Sequence, residues 1–415
     1  MKTRRKMAST ASKTKHRKAK ISSLSHPPSQ DSSFLSAFSP SADLFAFVSL
    51  AVDKHRLRVH DTHTGRCISE YIVDSARVTA LSWATFQNPK SSGDGQETED
   101  SAPRKKRKKR DSRAAQSVSE PDATPVVVLG LSTGSVLMFS HSHARIIRTL
   151  SNPSSTSSIL SVDVYSDTPG ATLLCLTLGK DGLIRTWNTQ TGEHLSSTKT
   201  DDRLSGTSLT LRPGVESDHP SVLLAHHSIR LLSVSSDSSL TSPQKLTEEA
   251  RFIGHASSIT MLRWQPFDNG SQPPRKFASV AESDRIVHIW EVPRVSGSEG
   301  KLVATAPLDS DARHIAFSRS PTHPSLLVLS ASGRIAIFTP TNDQGAPTIS
   351  KKSKEKVATL SPRSSMTISF NRGMTAQVIN AAFEQDGRIR VAWLAGGVRP
   401  VFDVVVSLSG LYASL

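Results

Sequence analysis

From Phe34 onward, apolar and polar residues alternate at every second position in short runs, broken at close intervals by Gly, Pro, Ser, Asn or Asp. A period of two with frequent turn signals predicts short antiparallel strands, each burying one face. The opening segment reads as Phe34–Phe38, a Ser-Pro-Ser-Ala-Asp turn, Leu44–Leu50, Arg56–Asp61, a Thr64-Gly65 turn and Cys67–Val73. These are four strands in a meander, with the third ending in His60-Asp61.

That third strand recurs. It reappears as Gly134–Ser140, Gly182–Asn188, Ser228–Ser233, Arg285–Glu291 and Gly333–Thr339. Aligned on one bulky position, the copies carry His60, Phe139, Trp187, Leu232, Trp290 and Phe338. Four of the five intervals lie between 45 and 58 residues, and the first, 79, holds an insertion at about 87–124. A seventh copy is placed with Val378–Phe383 as first strand, Arg388–Leu394 as second and Pro400–Val406 as third. Its outer strand is left to either the N-terminal side or Leu408–Leu415.

The fullest copy is Arg251–Glu291, which opens on Gly254-His255 and closes on Trp290 beside an acid, with Ser279 and Asp284 between. This is the layout of a WD repeat, the four-stranded blade of a β-propeller. The predicted fold is therefore all-β, a seven-bladed WD-repeat propeller with a basic N-terminal arm and basic loop insertions. In such repeats a loop His, a second-strand Ser or Thr, a turn Asp and the Trp ring nitrogen share hydrogen bonds, so that no buried polar group is left alone. That role is assigned to His255, Ser279, Asp284 and Trp290, and to Asp181 with Trp187, where the Asp again stands six residues before the Trp. These are structural residues and not catalytic ones.

Charge then divides the chain. It carries 51 Lys and Arg against 36 Asp and Glu, a net +15. Residues 1–20 hold nine basic residues and no acid; residues 104–113 hold eight, with Asp111 alone opposing them. Setting both aside leaves 34 basic against 35 acidic residues, so the body is near neutral. Residues 1–30 are expected to be disordered, 31–407 to form the propeller, and 408–415 to be a tail. Insertions are expected at about 87–124 and 341–375, with a shorter one at 212–220. Arg104, Lys105, Lys106, Arg107, Lys108, Lys109 and Arg110 form a run of the kind that binds importins or nucleic-acid phosphates.

Chemistry is sparse by comparison. Cys67 and Cys175 each sit in an apolar run, which reads as two buried thiols in a reducing compartment and excludes a disulfide framework. No run is long and apolar enough to span a membrane as a helix, and the basic N-terminus lacks the apolar core of a secretory signal. Phosphate-cradling Gly loops, zinc helices and nucleophile elbows are all missing from the sequence. His141 with His143, His226-His227 and Asp201-Asp202 read as turn residues. No enzyme activity, metal or cofactor is expected.

Several stretches resemble one family beyond the repeat itself: RLRVHDTHTGRCISEY, VTALSWA with the basic insertion after it, LGLSTGSVLMFS, LTLGKDGLIRTWNTQTGE, FIGHASSITMLRW with DRIVHIWEV, and VINAAFEQDGRIRVAW after a Lys-rich segment. The chain is similar over about 32–407 to the WD-repeat family called U three protein five, or in animals WD repeat-containing protein forty-three. That family belongs to the transcription-associated subcomplex of the small-subunit processome. The resemblance implies a nucleolar, non-enzymatic scaffold acting in ribosome biogenesis. Its work would be small-subunit rRNA processing and support of RNA polymerase I transcription. Implied partners are other processome proteins, with pre-rRNA or snoRNP and importin through the basic segments. Members of the family continue into a C-terminal helical domain, whereas this chain reads no helical segment before Leu415. Two other roles fit a propeller: substrate receptor of a ubiquitin ligase, or another nuclear WD-repeat adaptor. The receptor motif wants Trp-Asp-x-Arg; here Trp290 is followed by Glu-Val-Pro-Arg, with Arg294 one place late.

Overall fold

Alternating sequence becomes alternating structure in every repeat. The computed structural model describes residues 35–51, 54–74, 76–87, 123–151, 156–165, 174–199, 208–212, 221–234, 246–266, 274–318, 324–339, 357–367, 376–395 and 399–407. The described elements are all strands, arranged as seven sheets that each follow chain order from an inner to an outer edge. First strands of successive sheets touch one another in turn, and the first strand of the seventh, Ala376–Phe383, touches that of the first, Leu35–Phe38. The result is a closed ring, a seven-bladed WD-repeat β-propeller.

All five recurring segments lie on third strands: Val136–Ser140, Leu183–Asn188, Ile229–Val234, Ile286–Glu291 and Arg334–Phe338. The aligned position is buried in each of these blades and in the first, whether filled by His60, Phe139, Trp187, Leu232, Trp290 or Phe338. Blades therefore need bulk at this point more than they need an indole, since the core is packed to near-crystalline density. Second strands are the most apolar, as in Leu326–Ser330, buried at every residue, because they have a neighbouring blade on both faces.

The seventh blade has three described strands, Ala376–Phe383, Arg388–Ala395 and Pro400–Ser407. Among the described residues, side chains join the seventh blade to the first. Phe45 and Phe47 of the first blade pack with Ala392 and Leu394 of the seventh, and the Phe402 ring meets Phe45 edge-on at 5.2 Å. Asn380 donates to the Ser36 carbonyl at 3.1 Å.

Two departures from the sequence reading are local. Cys175 is buried, but Cys67 is exposed: it has the parity of the buried Ser69 and Val73, yet it lies beyond a register shift between Val59 and His60 that breaks the alternation at the start of the outer strand. The stretch 341–375 is not wholly insertion: Ser364–Thr367 is the sixth blade's outer strand, and Ala358–Thr359 pairs in parallel with Ala304–Thr305 of the fifth. The second blade's first two strands pair as far as Gln87 opposite Ala123, so the long basic insertion leaves from a first–second connection. The run Arg104–Arg110, the N-terminal arm, Asp201-Asp202 and the tail 408–415 lie outside the described residues.

Candidate functional site

In the fifth blade the second strand Lys276–Ala281 and third strand Ile286–Glu291 set Ser279 opposite His288, one turn of the pleat from Trp290. The Trp290 indole N–H donates to Ser279 Oγ at 2.7 Å. Ser279 Oγ lies 2.7 Å from His255 Nε2, and His255 Nδ1 lies 2.6 Å from Asp284 Oδ2. With a neutral ring and a carboxylate acceptor, all three contacts are satisfied when Ser279 donates to Nε2 and the Nδ1–H donates to the carboxylate. Burial holds the His255 pKa below its ordinary value against the pull of Asp284, which keeps the ring neutral and fits that tautomer. Gly254 precedes the His because a Cβ there would come within 2.8 Å of the Trp290 ring. The chain thus links the loop before the first strand to the second–third turn, both at the same end of the blade, and ties them to the Trp290 ring of the third strand.

The third blade solves the same problem differently. Trp187 donates to Thr177 Oγ1 at 3.3 Å, a longer bond. Asp181, assigned above to a network with Trp187, is instead held by Arg185, whose Nη1 lies 3.2 Å from Asp181 Oδ1 and whose Nη2 pairs with Oδ2. Arg185 stands opposite Thr177 in the slot that His288 fills in the fifth blade, and its guanidinium is nearly buried. Gly179 clears the way, since a Cβ there would meet both the Asp181 carboxylate and Arg185. Burial raises the Asp181 pKa, but the hydrogen bonds from Arg185 and the Leu183 N–H outweigh it and the net shift is downward. The Asp-x-x-x-Arg spacing was the signal available in sequence.

A seventh-blade pair was not foreseen. Arg390 and Glu384 are both nearly buried and face each other through Nε, Nη2 and Oε1. Arg390 also donates to the Thr62 carbonyl at 3.0 Å, and its Nη2 lies 3.1 Å from His63 Nδ1.

Among the described residues, metal binding can be tested at one cluster. Ligand atoms of His255, Asp284 and His288 lie within 4.8 Å of one another. The His255 and His288 rings, however, are stacked at 4.1 Å with planes 18° apart. An imidazole lone pair lies in its ring plane, so no ion at about 2 Å from both nitrogens can lie on both axes. Both His255 nitrogens are also engaged. These residues do not fit a metal. His288 is kept neutral, its pKa lowered to about 4 by burial, His255 adding to that and Asp284 opposing it.

Around the axis, first strands enclose a cavity of about 310 Å³ that Arg263, His314 and Asn380 help to line. Asp163 is fixed by the Leu211 N–H at 2.9 Å and the Thr210 hydroxyl at 3.2 Å; burial nevertheless pushes its pKa up. His314 is lowered to about 3 by burial and then by Arg263. Nothing in this set places a nucleophile beside a base, and His141 and His143 serve the turn after Ser140, through Pro125 O at 3.0 Å and Ser140 Oγ at 2.9 Å.

Comparison with known proteins follows the fold. No family model matches the chain. Human WD repeat-containing protein 43 is 26% identical over 319 residues, covering 73% of this chain and 41% of that protein. The match therefore spans about two-fifths of that relative's length. A chain in the crystal structure of the mitotic checkpoint complex superposes with a TM-score of 0.55 over 97% of this chain and 99% of its own, at 12% identity. At that identity the superposition shows the shared fold alone. Propellers of this kind typically serve as scaffolds for protein–protein interaction.

Proposed function

We propose that this chain is a non-enzymatic scaffold of nucleolar ribosome biogenesis, acting in small-subunit pre-rRNA processing and supporting RNA polymerase I transcription. The similarity to human WD repeat-containing protein 43 over 319 residues carries the reading. The charge layout supports it: a near-neutral body with basic runs at the N-terminus and at Arg104–Arg110. The second run falls in sequence between Gln87 and Ala123, which pair at the ends of two neighbouring strands. In this reading blades hold partner proteins of the small-subunit processome, and the basic runs engage importin and the phosphates of pre-rRNA or a snoRNP.

Two arms of one experiment test it. With Arg104–Arg110 and the basic residues of 1–20 all changed to Ser, nuclear accumulation is lost, while either run alone sustains part of it. In vitro, contact with about 6–8 phosphates gives a log–log salt slope of about −4 to −6 for single-stranded RNA, flattened by the same changes. Unchanged import together with a flat salt response in the parent chain removes the role given to the basic runs.

A further inference from the structure

Strand order puts first–second and third–fourth connections at one end of the ring. There, between the fourth and fifth blades, a cleft of about 600 Å³ brings together Arg212, Arg275 and Arg294 from three separate connections. Arg212 follows the strand Ser208–Leu211; its Nε donates to the Pro274 carbonyl at 2.9 Å and its guanidinium carbon lies 5.4 Å from the Trp264 ring centre. Arg275 donates through Nη2 to the Val292 carbonyl at 2.7 Å. Both guanidinium groups are thus aimed by neutral partners, and among the described residues none of the three arginines forms an ion pair. Among the described residues Glu249 is the one acid in the lining.

The far wall is held in place. Gly297 N–H donates to the Glu249 carbonyl at 2.6 Å, and Ser298–Glu299 pairs in parallel with Ala250–Arg251. Gly300 then passes so close to Phe252 that a Cβ would stand 1.8 Å from the ring. Among the described residues three cations face one acid in this concavity, which leaves its lining net positive. Such a site focuses potential on an anion, and arginine forks suit carboxylates in particular. Val295, 71% exposed, adds an apolar rim.

We propose that this cleft binds an acidic peptide segment of a partner protein, with carboxylates on the arginines and an aliphatic side chain against Val295. A nucleic-acid strand fits the lining less well. Single strands are held by open aromatic platforms, whereas Trp264 is buried beneath Arg212, and Glu249 would oppose a regular row of phosphates. The proposal goes beyond the scaffold reading and does not depend on where in the cell the chain works.

The test uses the full chain and a fluorescein-labelled decapeptide of glutamates interrupted by two valines, followed by anisotropy at about 0.15 M salt, where distant charges are screened. Arg294→Glu alters an exposed side chain and should weaken binding about tenfold or more. Lys180→Glu makes the same charge change on an exposed turn at the other end of the ring, and should alter binding less than twofold. Both basic runs are present in each variant, so they cancel. Equal losses in the two variants, no loss in either, or a loss confined to a single-stranded RNA probe of matched charge would overturn the proposal.

Discussion

Arg390, on the second strand of the seventh blade, donates to the main-chain carbonyl of Thr62 in the first blade at 3.0 Å, across 328 positions of sequence. The same guanidinium is paired with the buried Glu384 carboxylate. One side chain thus joins the last repeat to the first, at a blade with three described strands.

Arg390→Met should therefore be among the costliest single changes in the ring. Breaking a buried pair leaves an uncompensated charge and costs about 3–5 kcal/mol. Arg388 Nε still reaches the other Glu384 oxygen at 3.0 Å, which sets the expectation near the lower figure, about 3 kcal/mol. Adding Glu384→Leu should recover much of the loss. Urea unfolding measures both; a double variant no better than the single would show that the Thr62 and His63 contacts dominate.

The two tryptophan networks predict an ordered pair of effects. Trp290→Phe and Trp187→Phe remove the same volume, but the first strips a 2.7 Å bond and the second a 3.3 Å one. Losing a buried partner costs about 1–3 kcal/mol, and Ser279 anchors His255 as well. Trp290→Phe should thus lower the unfolding midpoint more than Trp187→Phe does. Equal effects would mean that packing alone sets the value of the indole.

Acid sensitivity follows from one buried and one half-buried imidazole. His288, facing His255 and Asp284, is lowered to about 4, and His314, facing Arg263, to about 3, from an ordinary 6.5. Between those values and 6.5 the unfolded chain binds more protons than the folded one, so stability rises with pH across that window. It is fully present above about 6.5 and is lost as pH falls toward 4 and then 3. His288→Gln should flatten the upper part of the profile in thermal unfolding at pH 4 to 7; an unaltered profile would assign the sensitivity elsewhere.

The repeat was legible because each third strand sits behind a turn and ends on a bulky residue, and those constraints are local in sequence. Even the degraded seventh copy could be placed, since the Glu-Gln-Asp-Gly turn after Phe383 marks a hairpin. Local readings failed where function of a side chain depends on what fills the space around it. The spacing of Asp181 matches that of Asp284 and so suggests a Trp-centred role, yet Arg185 pairs with its carboxylate. The apolar neighbours of Cys67 suggest a buried thiol, yet it opens the outer strand at a register shift and is exposed. Arg212, Arg275 and Arg294 carry no mutual sequence signal at all, because three different connections bring them together. The basic runs were visible from composition alone and need no fold to be seen.

The central claim is tested most directly by purifying the tagged chain from its own cells and identifying the proteins and RNA that come with it. The account predicts small-subunit processome proteins together with small-subunit precursor rRNA. Recovery of a ubiquitin-ligase adaptor, with neither precursor rRNA nor processome proteins, would contradict it.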